Sequence, residues 1–333
     1  MDRGLHVTES GTGRTAAYAV PVTANAIGTL AVPVLMIAAL VLLGRTPSGW
    51  LQGAAIITFC LMGHTLFSLI HEADHDKLFP DRRLNYLAGV WLAAFFPASF
   101  TILRAAHLMH HARNRSDAEL IDYFRPGENR WFKTLKYYGM VGGGIWIGSV
   151  ILSILTCFLP SRFYQARPLS EPGPDAKTYL SFLSRTDAWR IRREVLFAGV
   201  IWLSLILLLG LGSAAIAAYL VFGFVWSTQQ FVFHVRSPLH LIEGSWDLHM
   251  WPFFSWVFLN GNYHLTHHRY PKIPWNQLPA ASDGRPLRSY LLTWAHSLLP
   301  PRPIAQAWPR QFMSKGPLPE GGPPDQMLPP SPR

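Results

Sequence analysis

Long apolar runs separated by short polar stretches dominate this sequence. The runs with the fewest polar residues are Gly28–Leu43, Trp50–Ile70, Leu84–Leu103, Gly139–Leu159, Val195–Leu211 and Ser213–Val232. A helix needs roughly 20 apolar residues to span a bilayer. The pattern therefore predicts an all-α integral membrane protein. Gly210-Leu211-Gly212-Ser213 joins the last two runs, and this short linker favours a tight helical hairpin.

The composition agrees with a membrane protein. Hydrophobic residues make up 50% of the 333 residues and charged residues 14%, whereas soluble globular chains carry about 25% charged residues. The net charge of +10 would be compatible with nucleic-acid binding. However, the sequence contains no basic stripe with interleaved aromatic residues. We expect no nucleic-acid partner, and we assign the Lys and Arg residues to cytoplasmic loops and lipid headgroups.

The histidines carry the candidate chemistry. They cluster in His71-Glu-Ala-Asp-His75, His107-Leu-Met-His110-His111 and His264-Leu-Thr-His267-His268. Residues three and four apart project from one helix face, and imidazole is the commonest protein metal ligand. Eight histidines exceed the four ligands of a tetrahedral zinc ion, so two metal ions sharing the set is the simpler interpretation. His234, at the end of the last long run, is a ninth candidate.

A shared metal site constrains the membrane topology. Full crossings by Leu84–Leu103, which contains Pro97, and by Gly139–Leu159, which contains three consecutive glycines, would separate the boxes. We therefore predict four transmembrane helices, with these two runs forming interfacial or re-entrant helices. The loop Ser161–Arg193 is rich in Arg, so the positive-inside rule predicts a cytoplasmic active site and cytoplasmic termini, in a bacterial inner membrane.

Both ends of the chain differ in composition from its middle. Residues 1–27 are rich in Gly, Thr and Ala, and residues 281–333 are rich in Pro. Such compositions favour flexible segments over a packed core. We predict a flexible cytoplasmic N-terminus (1–27), a membrane-bound domain (28–280) and a Pro-rich cytoplasmic tail (281–333).

The three boxes, each placed after a hydrophobic segment, resemble the membrane-bound fatty acid desaturase superfamily. The matches extend to Leu78-Phe79 after the first box and to Asn262-Tyr263 before the third, with Pro271, Pro274 and Leu278-Pro279 after it. The resemblance covers roughly residues 28–280. It implies two iron ions that activate dioxygen and remove hydrogen from an unactivated C–H bond. The ligands that it implies are His71, His75, His107, His110, His111, His234, His264, His267 and His268.

The resemblance also implies partners. The chain has no haem-binding His-Pro-Gly-Gly, no flavin fingerprint and no cysteine set for an iron–sulfur cluster. Electrons would therefore come from an external donor, a ferredoxin or a cytochrome with its reductase. Four acids near the boxes are candidates for orienting the ligand histidines through their second ring nitrogen: Glu72, Asp74, Asp76 and Asp117.

The function that this resemblance implies is oxygen-dependent desaturation of a lipid-borne fatty-acyl chain. A hydroxylase, a carotenoid ketolase and a fatty-acid decarboxylase begin with the same hydrogen abstraction and remain alternatives. A metal transporter or sensor would need polar residues distributed through the membrane depth, whereas here the apolar runs are nearly free of charge. His64 is the notable exception, because it lies within an apolar run two helical turns before His71.

Overall fold

The computed structural model describes residues 18–116, 119–164 and 183–304, which are mostly helical. The first half of the chain forms α1 (Val22–Arg45), α2 (Gly49–Asp74), α3 (Arg82–Phe95), α4 (Phe100–Arg113), α5 (Arg130–Gly139) and α6 (Ile145–Phe158). The second half forms α7 (Arg185–Leu209), α8 (Gly212–Val232), α9 (Pro252–Val257), α10 (His264–Arg269), α11 (Leu278–Ala281) and α12 (Tyr290–Ser297). Short strands pair in parallel: β1 (Tyr123–Phe124) with β4 (Arg302–Pro303), and β2 (Leu248–His249) with β3 (Arg288–Ser289).

Local sequence signals set several helix ends. The side chains of Asp81, Ser99 and Asn129 accept hydrogen bonds from backbone N–H groups in the first turns of α3, α4 and α5. These residue types are preferred at the N-cap because they satisfy N–H groups that lack a partner within the helix. At the C-terminus of α7, Gly210 adopts the left-handed conformation with φ 64°. Glycine has no steric penalty there.

The turn of the α7–α8 hairpin lies beside the turn that joins α1 to α2. The guanidinium of Arg45 donates to the carbonyl of Leu209 over 3.1 Å. Trp202 of α7 and Tyr219 of α8 also pack with ring centroids 5.3 Å apart, at matching levels of the hairpin. The predicted tight hairpin is confirmed, and both turns lie at the end of the bundle opposite the histidine boxes.

The pair α3–α4 enters the bundle and turns back. The two helices are bent by 100° at the break between them. At this bend, the indole of Trp202 donates to the carbonyl of Ala94 over 2.9 Å, and the hydroxyl of Tyr219 donates to the carbonyl of Phe95. The start of α3 lies beside the end of α2, where Asn85 bonds to Ala73 and Leu78. The prediction that Leu84–Leu103 is not a straight crossing is confirmed.

Helix length and composition identify a set of candidate membrane spans that differs from the predicted set at one position. Among the described residues, four helices are long and apolar enough to cross a membrane: Val22–Arg45, Gly49–Asp74, Arg130–Phe158 and Gly212–Val232. The number of four agrees with the sequence prediction. By length and composition alone, Arg130–Phe158 passes this test and the helix that contains residues 195–209 does not. The structural reason is that α5 and α6 form one broken helix, whereas Arg192, Arg193 and Glu194 shorten the apolar part of α7.

Contacts at the two ends of Arg130–Phe158 define its path. The chain leaves helical geometry at Gly143, where φ is 124° and a side chain would be strained. Before this break, Tyr137 packs against Phe231 near the end of α8. After it, the guanidinium of Arg192 near the start of α7 donates to the carbonyls of Cys157 and Leu159. Because α7 and α8 run antiparallel, both contacts lie at the same end of the bundle, as in a re-entrant element.

Side chains that face outward from the long helices are apolar. Exposed examples are Leu30, Val34, Ile57, Leu203 and Leu220. The interior contains a cluster of aliphatic and aromatic residues from α1, α2, α3 and α8. Since lipid tails are as apolar as these side chains, an apolar exterior is what a membrane-embedded bundle requires.

The C-terminal segment up to residue 304 packs on the bundle. The hydroxyl of Tyr137 donates to the carbonyl of Ser297 over 2.6 Å, and α12 contacts α8. Part of the predicted tail, 281–304, is therefore ordered against the membrane helices. The division of the chain at residues 27 and 280 stays a prediction, and residues 1–17 and 305–333 lie outside the described part.

Candidate metal centre

Four segments deliver histidines to one end of the bundle. The end of α2 contributes the first box, α4 the second and α10 the third, while His234 lies two residues beyond α8. The structure brings all nine histidines that sequence analysis singles out into this region. They form one group of His71, His75, His107, His111 and His267, and a second of His110, His234, His264 and His268. Within each group the candidate ligand atoms lie within 4.8 Å of one another.

The second and third boxes each divide between the two groups. In α4, His107 and His111 are four apart and join the first group, while His110 joins the second. The third box is the reverse: His264 and His268 join the second group, and His267 joins the first. At 3.6 residues per turn, residues four apart point in nearly the same direction, whereas His110 and His111, like His267 and His268, are rotated by about 100° from each other. One short helix can therefore serve two metal ions.

Distances in the first group test whether metal ions fit. The Nε2 atom of His107 lies 2.6 Å from that of His75 and 3.0 Å from that of His111, which lies 3.0 Å from that of His267. Each ring nitrogen has one proton or one lone pair, so His107 and His111 cannot satisfy two neighbours each. Two nitrogens at right angles around an ion, with bonds of about 2.1 Å, would be about 3.0 Å apart. The donor set fits a metal ion.

The ring nitrogens of the second group are also close enough together to bind one metal ion. The Nε2 atoms of His234 and His264 are 2.9 Å apart. His268 Nε2 lies 3.2 Å from the Nε2 atoms of both His110 and His264. All four rings thus present the same nitrogen to a common point. An all-nitrogen set of this kind suits a transition metal better than magnesium or calcium, which prefer oxygen.

The remaining ring nitrogens in the second group have fixed partners. His110 Nδ1 lies 2.7 Å from a carboxylate oxygen of Glu119. His234 Nδ1 donates to the carbonyl of Gly244 over 2.9 Å. Such bonds select the tautomer that leaves Nε2 free for a metal, and they fix the orientation of the ring.

Burial keeps the histidines near the third box neutral. Desolvation is the main cause that lowers the pKa of His234, His264, His267 and His268 well below the ordinary imidazole value. Neighbouring histidines lower these values further, because two cationic rings at this distance would repel each other. Neutral imidazole is the form that binds metals, so the environment favours ligation.

Comparison with known proteins agrees with this geometry. The family model described as fatty acid desaturase matches residues 48–297, which is most of the chain. The chain belongs to the fatty acid desaturase family. A protein from Arabidopsis thaliana described as sphingolipid delta(4)-desaturase DES1-like is 26% identical over 242 residues, which cover 69% of this chain and 63% of the relative. The matched region thus spans somewhat less than two thirds of that relative.

Family membership agrees with the resemblance that the sequence analysis identifies. The match covers all three histidine boxes and His234. It also includes residues 281–297, beyond the end that sequence analysis assigns to the membrane domain. Those residues contain α12, which packs on α8.

For the acids near the boxes, the structure gives contacts at Glu72, Asp74 and Asp76, and the orienting role stays a prediction. Glu72 accepts a hydrogen bond from the backbone N–H of Trp275, and its carboxylate is 3.9 Å from His71. Asp76 forms an ion pair with Arg104. Asp74 is buried, with one carboxylate oxygen lacking a partner among the described residues. Asp117 lies outside the described residues.

Two supporting acids escape sequence reasoning. Glu119 orients His110 from a loop, and Asp247 holds the third box. The carboxylate of Asp247 accepts from the backbone N–H of Thr266 over 3.0 Å and from its hydroxyl over 2.6 Å. Burial raises the pKa of Asp247. Asp247 precedes an aromatic-rich segment and belongs to no hydrophobic repeat, so periodicity does not identify it. An acid shortly before a histidine box is the feature that could have found it.

A narrow cavity of about 50 Å³ reaches the centre from within the bundle. Its walls include three of the histidines: His71, His264 and His267. Much of the remaining lining is apolar: Phe67, Phe233, Phe258, Leu259 and Leu278. The apolar part of this lining, on the side of the centre that faces the helices, suits a hydrocarbon chain.

Proposed function

We propose that this protein is an oxygen-dependent desaturase that introduces a double bond into a lipid-borne acyl chain, and that the nine histidines hold two iron ions. The observation that carries the proposal is the convergence of the histidines in two adjacent groups at one end of an apolar cavity. Bound iron would supply the activation of dioxygen needed to remove hydrogen from an unactivated C–H bond.

The chain's own residues position the substrate and the ligands. The aromatic and aliphatic cavity wall favours a hydrocarbon chain and excludes water beside the histidines. Glu119 and the Gly244 carbonyl keep two rings in the orientation that presents Nε2. Holding a C–H bond close to the centre contributes to catalysis by converting a bimolecular encounter into an oriented one.

The substrate class is a long-chain lipid. The name of the Arabidopsis thaliana relative supports a sphingolipid as the first substrate to test. Electrons come from a separate ferredoxin or cytochrome with its reductase, because the sequence carries no second redox-cofactor motif. Dioxygen is the co-substrate.

The most direct test is lipid profiling of cells that express the wild type beside the His264→Ala variant. The proposal expects new unsaturated chains with the wild type and none with the variant, at equal levels of membrane-inserted protein. Products that retain an oxygen atom would instead indicate a hydroxylase or a ketolase, and shortened hydrocarbons would indicate a decarboxylase.

For the orientation, we propose that the histidine end and both termini face the cytoplasm of a bacterial inner membrane. Support comes from charge: Arg104, Arg113 and Arg269 lie at the histidine end, whereas the opposite turns carry Arg45. A reporter that is active only in the periplasm, fused after Lys177, should remain silent. Strong reporter activity there would contradict this orientation.

A further inference from the structure

The cavity contains polar groups that the metal centre does not use. Beyond the histidines of the two groups, its lining includes the side chains of His64, Ser68, Glu72 and Gln230. Ser68 donates to the carbonyls of His64 and Phe258, and Glu72 accepts from Trp275. The side chains of Ser68 and Glu72 therefore have hydrogen-bond partners within the protein. The side chains of His64 and Gln230 have none among the described residues.

His64 is a buried ring without a hydrogen-bond partner. It is 4% exposed, and its Nδ1 atom is fully enclosed without a partner among the described residues. The ring packs against Phe222 and Phe258, with centroids 5.9 and 4.7 Å away. Leaving a buried polar atom unsatisfied costs free energy that an aliphatic side chain at this position would avoid.

Gln230 contributes a second unused polar group from α8. Gln230 is half-buried and lines the same cavity, and its side chain makes no hydrogen bond within the part of the chain that the structure describes. Gln230 precedes His234 by one helical turn, and His64 precedes His71 by two turns, so along their helices they lie about 6 and 10 Å from histidines of the centre. Amide and imidazole groups both donate and accept hydrogen bonds.

We propose that His64 and Gln230 form a subsite for a hydroxyl or amide group of the lipid substrate, located a few carbon atoms from the carbon that reacts. This proposal rests on the proposed function, because it assigns the substrate class of the same cavity. A plain hydrocarbon chain would leave both side chains without partners. A chain that carries a hydroxyl or amide satisfies them, and a site built for such a bond discriminates strongly against analogues that lack it.

Direct binding to three lipids of matched chain length tests the subsite without turnover. The probes are N-octanoyl dihydrosphingosine (hydroxyls and an amide), N-octanoyl octadecylamine (an amide alone) and octadecyl octanoate (neither N–H nor O–H). Binding is measured by native mass spectrometry on the full-length, iron-loaded protein in lipid nanodiscs. The wild type should prefer the first probe to the ester by roughly tenfold or more, and the amide alone shows which group carries the preference.

Substitutions at the subsite should remove this preference. His64→Phe keeps an aromatic ring and Gln230→Leu keeps most of the side-chain size, and each should bring the probes within about twofold of one another. His64→Asn, which keeps a hydrogen-bonding group, should restore part of the preference. Gln52→Leu, at the other end of α2 where Gln52 bonds to Thr46, is the matched control and should behave as the wild type.

The outcomes separate this proposal from the proposed function. Equal binding of all probes by the wild type, or a preference that survives in both His64→Phe and Gln230→Leu, overturns the subsite even if the protein desaturates lipids. A preference that depends on His64, in a protein that forms no unsaturated product, supports the subsite and contradicts the desaturase assignment. Iron content and thermal stability, measured for each variant, identify any variant that fails to fold, and His64→Asn then decides.

Discussion

The two histidine groups are supported by different parts of the protein. In the second group, His110 and His234 are oriented by direct hydrogen bonds to the Glu119 carboxylate and to the Gly244 carbonyl. In the first group, no described hydrogen bond orients the second nitrogen of His71, because the nearest carboxylate, Glu72, is 3.9 Å away. Among the described residues, loop residues bond to two rings of the second group, whereas the contacts around His71, His75 and His107 come mainly from the packing of the helices that carry these rings.

The packing around the first group is correspondingly dense. Asn85 at the start of α3 bonds to the carbonyl of Ala73 over 2.9 Å and to the backbone N–H of Leu78 over 3.0 Å. Glu194 of α7 stabilises the start of α4, because its carboxylate accepts hydrogen bonds from the backbone N–H and the hydroxyl of Thr101. A carboxylate at a helix N-terminus is stabilised by the helix dipole. These contacts hold the helices whose ends carry the rings.

The largest expected effect comes from removing a ligand. His107→Ala and His264→Ala each remove one ring, the first from the first group and the second from the second group. We expect both to reduce turnover to below about 1% of wild type, since the proposed centre needs both groups. Iron content should fall in both, measured by elemental analysis of purified protein.

His71→Ala and His234→Ala extend this test to rings from α2 and from the end of α8, and both should also abolish turnover. A histidine outside the centre, His296, provides the control. Normal activity in any of the ligand variants would contradict a centre shared by all nine rings.

The next effect comes from the acid that holds the third box. Asp247→Ala removes the acceptor for both hydrogen bonds of Thr266. Residues that support metal ligands typically contribute 10–100-fold to metal affinity or activity, so we expect about a tenfold to hundredfold loss of iron affinity, measured by competition with a chelator. Asp247→Asn keeps an acceptor oxygen and should retain more affinity than the Ala variant, and the reverse order would contradict this role.

A smaller and more selective effect should follow Glu119→Gln. The amide keeps the size of the side chain but removes the charge that favours the bond to His110. We expect roughly tenfold weaker metal binding in the second group only. Spectroscopic separation of the two iron sites measures this, with Glu128→Gln, a more exposed acid in the same loop region, as the control. Equal weakening of both sites would contradict the difference between the groups.

The smallest effect should come from helix packing. Asn85→Ala removes the hydrogen bonds that join α2 to α3 and leaves their backbone partners buried. We expect a loss of about 1–3 kcal/mol in the free energy of unfolding, measured by thermal unfolding in detergent. Iron loss should begin in the first group. Selective iron loss from the second group would contradict the packing-based support of the first.

The sequence predicts the composition of the centre better than its arrangement. The three boxes are found from their spacing, because residues three and four apart lie near one another on a helix surface. His234 is found from its position at the end of the last long apolar run. Pro97 correctly predicts the break between α3 and α4. The sequence does not reveal that His110 and His267 belong to the other group from their neighbours, since that depends on how α4 and α10 are rotated relative to each other.

The supporting residues are hidden for a related reason. Glu119 and Gly244 lie in loops without hydrophobic periodicity, and only the folded chain brings them to His110 and His234. The path of Arg130–Phe158 through the bundle is also not predictable from local sequence. Its length and composition permit a crossing, whereas its path is determined by contacts with residues more than thirty positions away, such as Arg192.

The division of the boxes between two groups has a consequence for biosynthesis. The first group needs His267 beside His71, and the second needs His264 beside His110, so each group joins residues from early and late parts of the chain. Neither group is complete until α8 has entered the membrane and the third box has been translated. With the proposed metal ions, insertion would be a late step, after the membrane helices have assembled, and truncation before residue 264 would yield a protein unable to assemble either group.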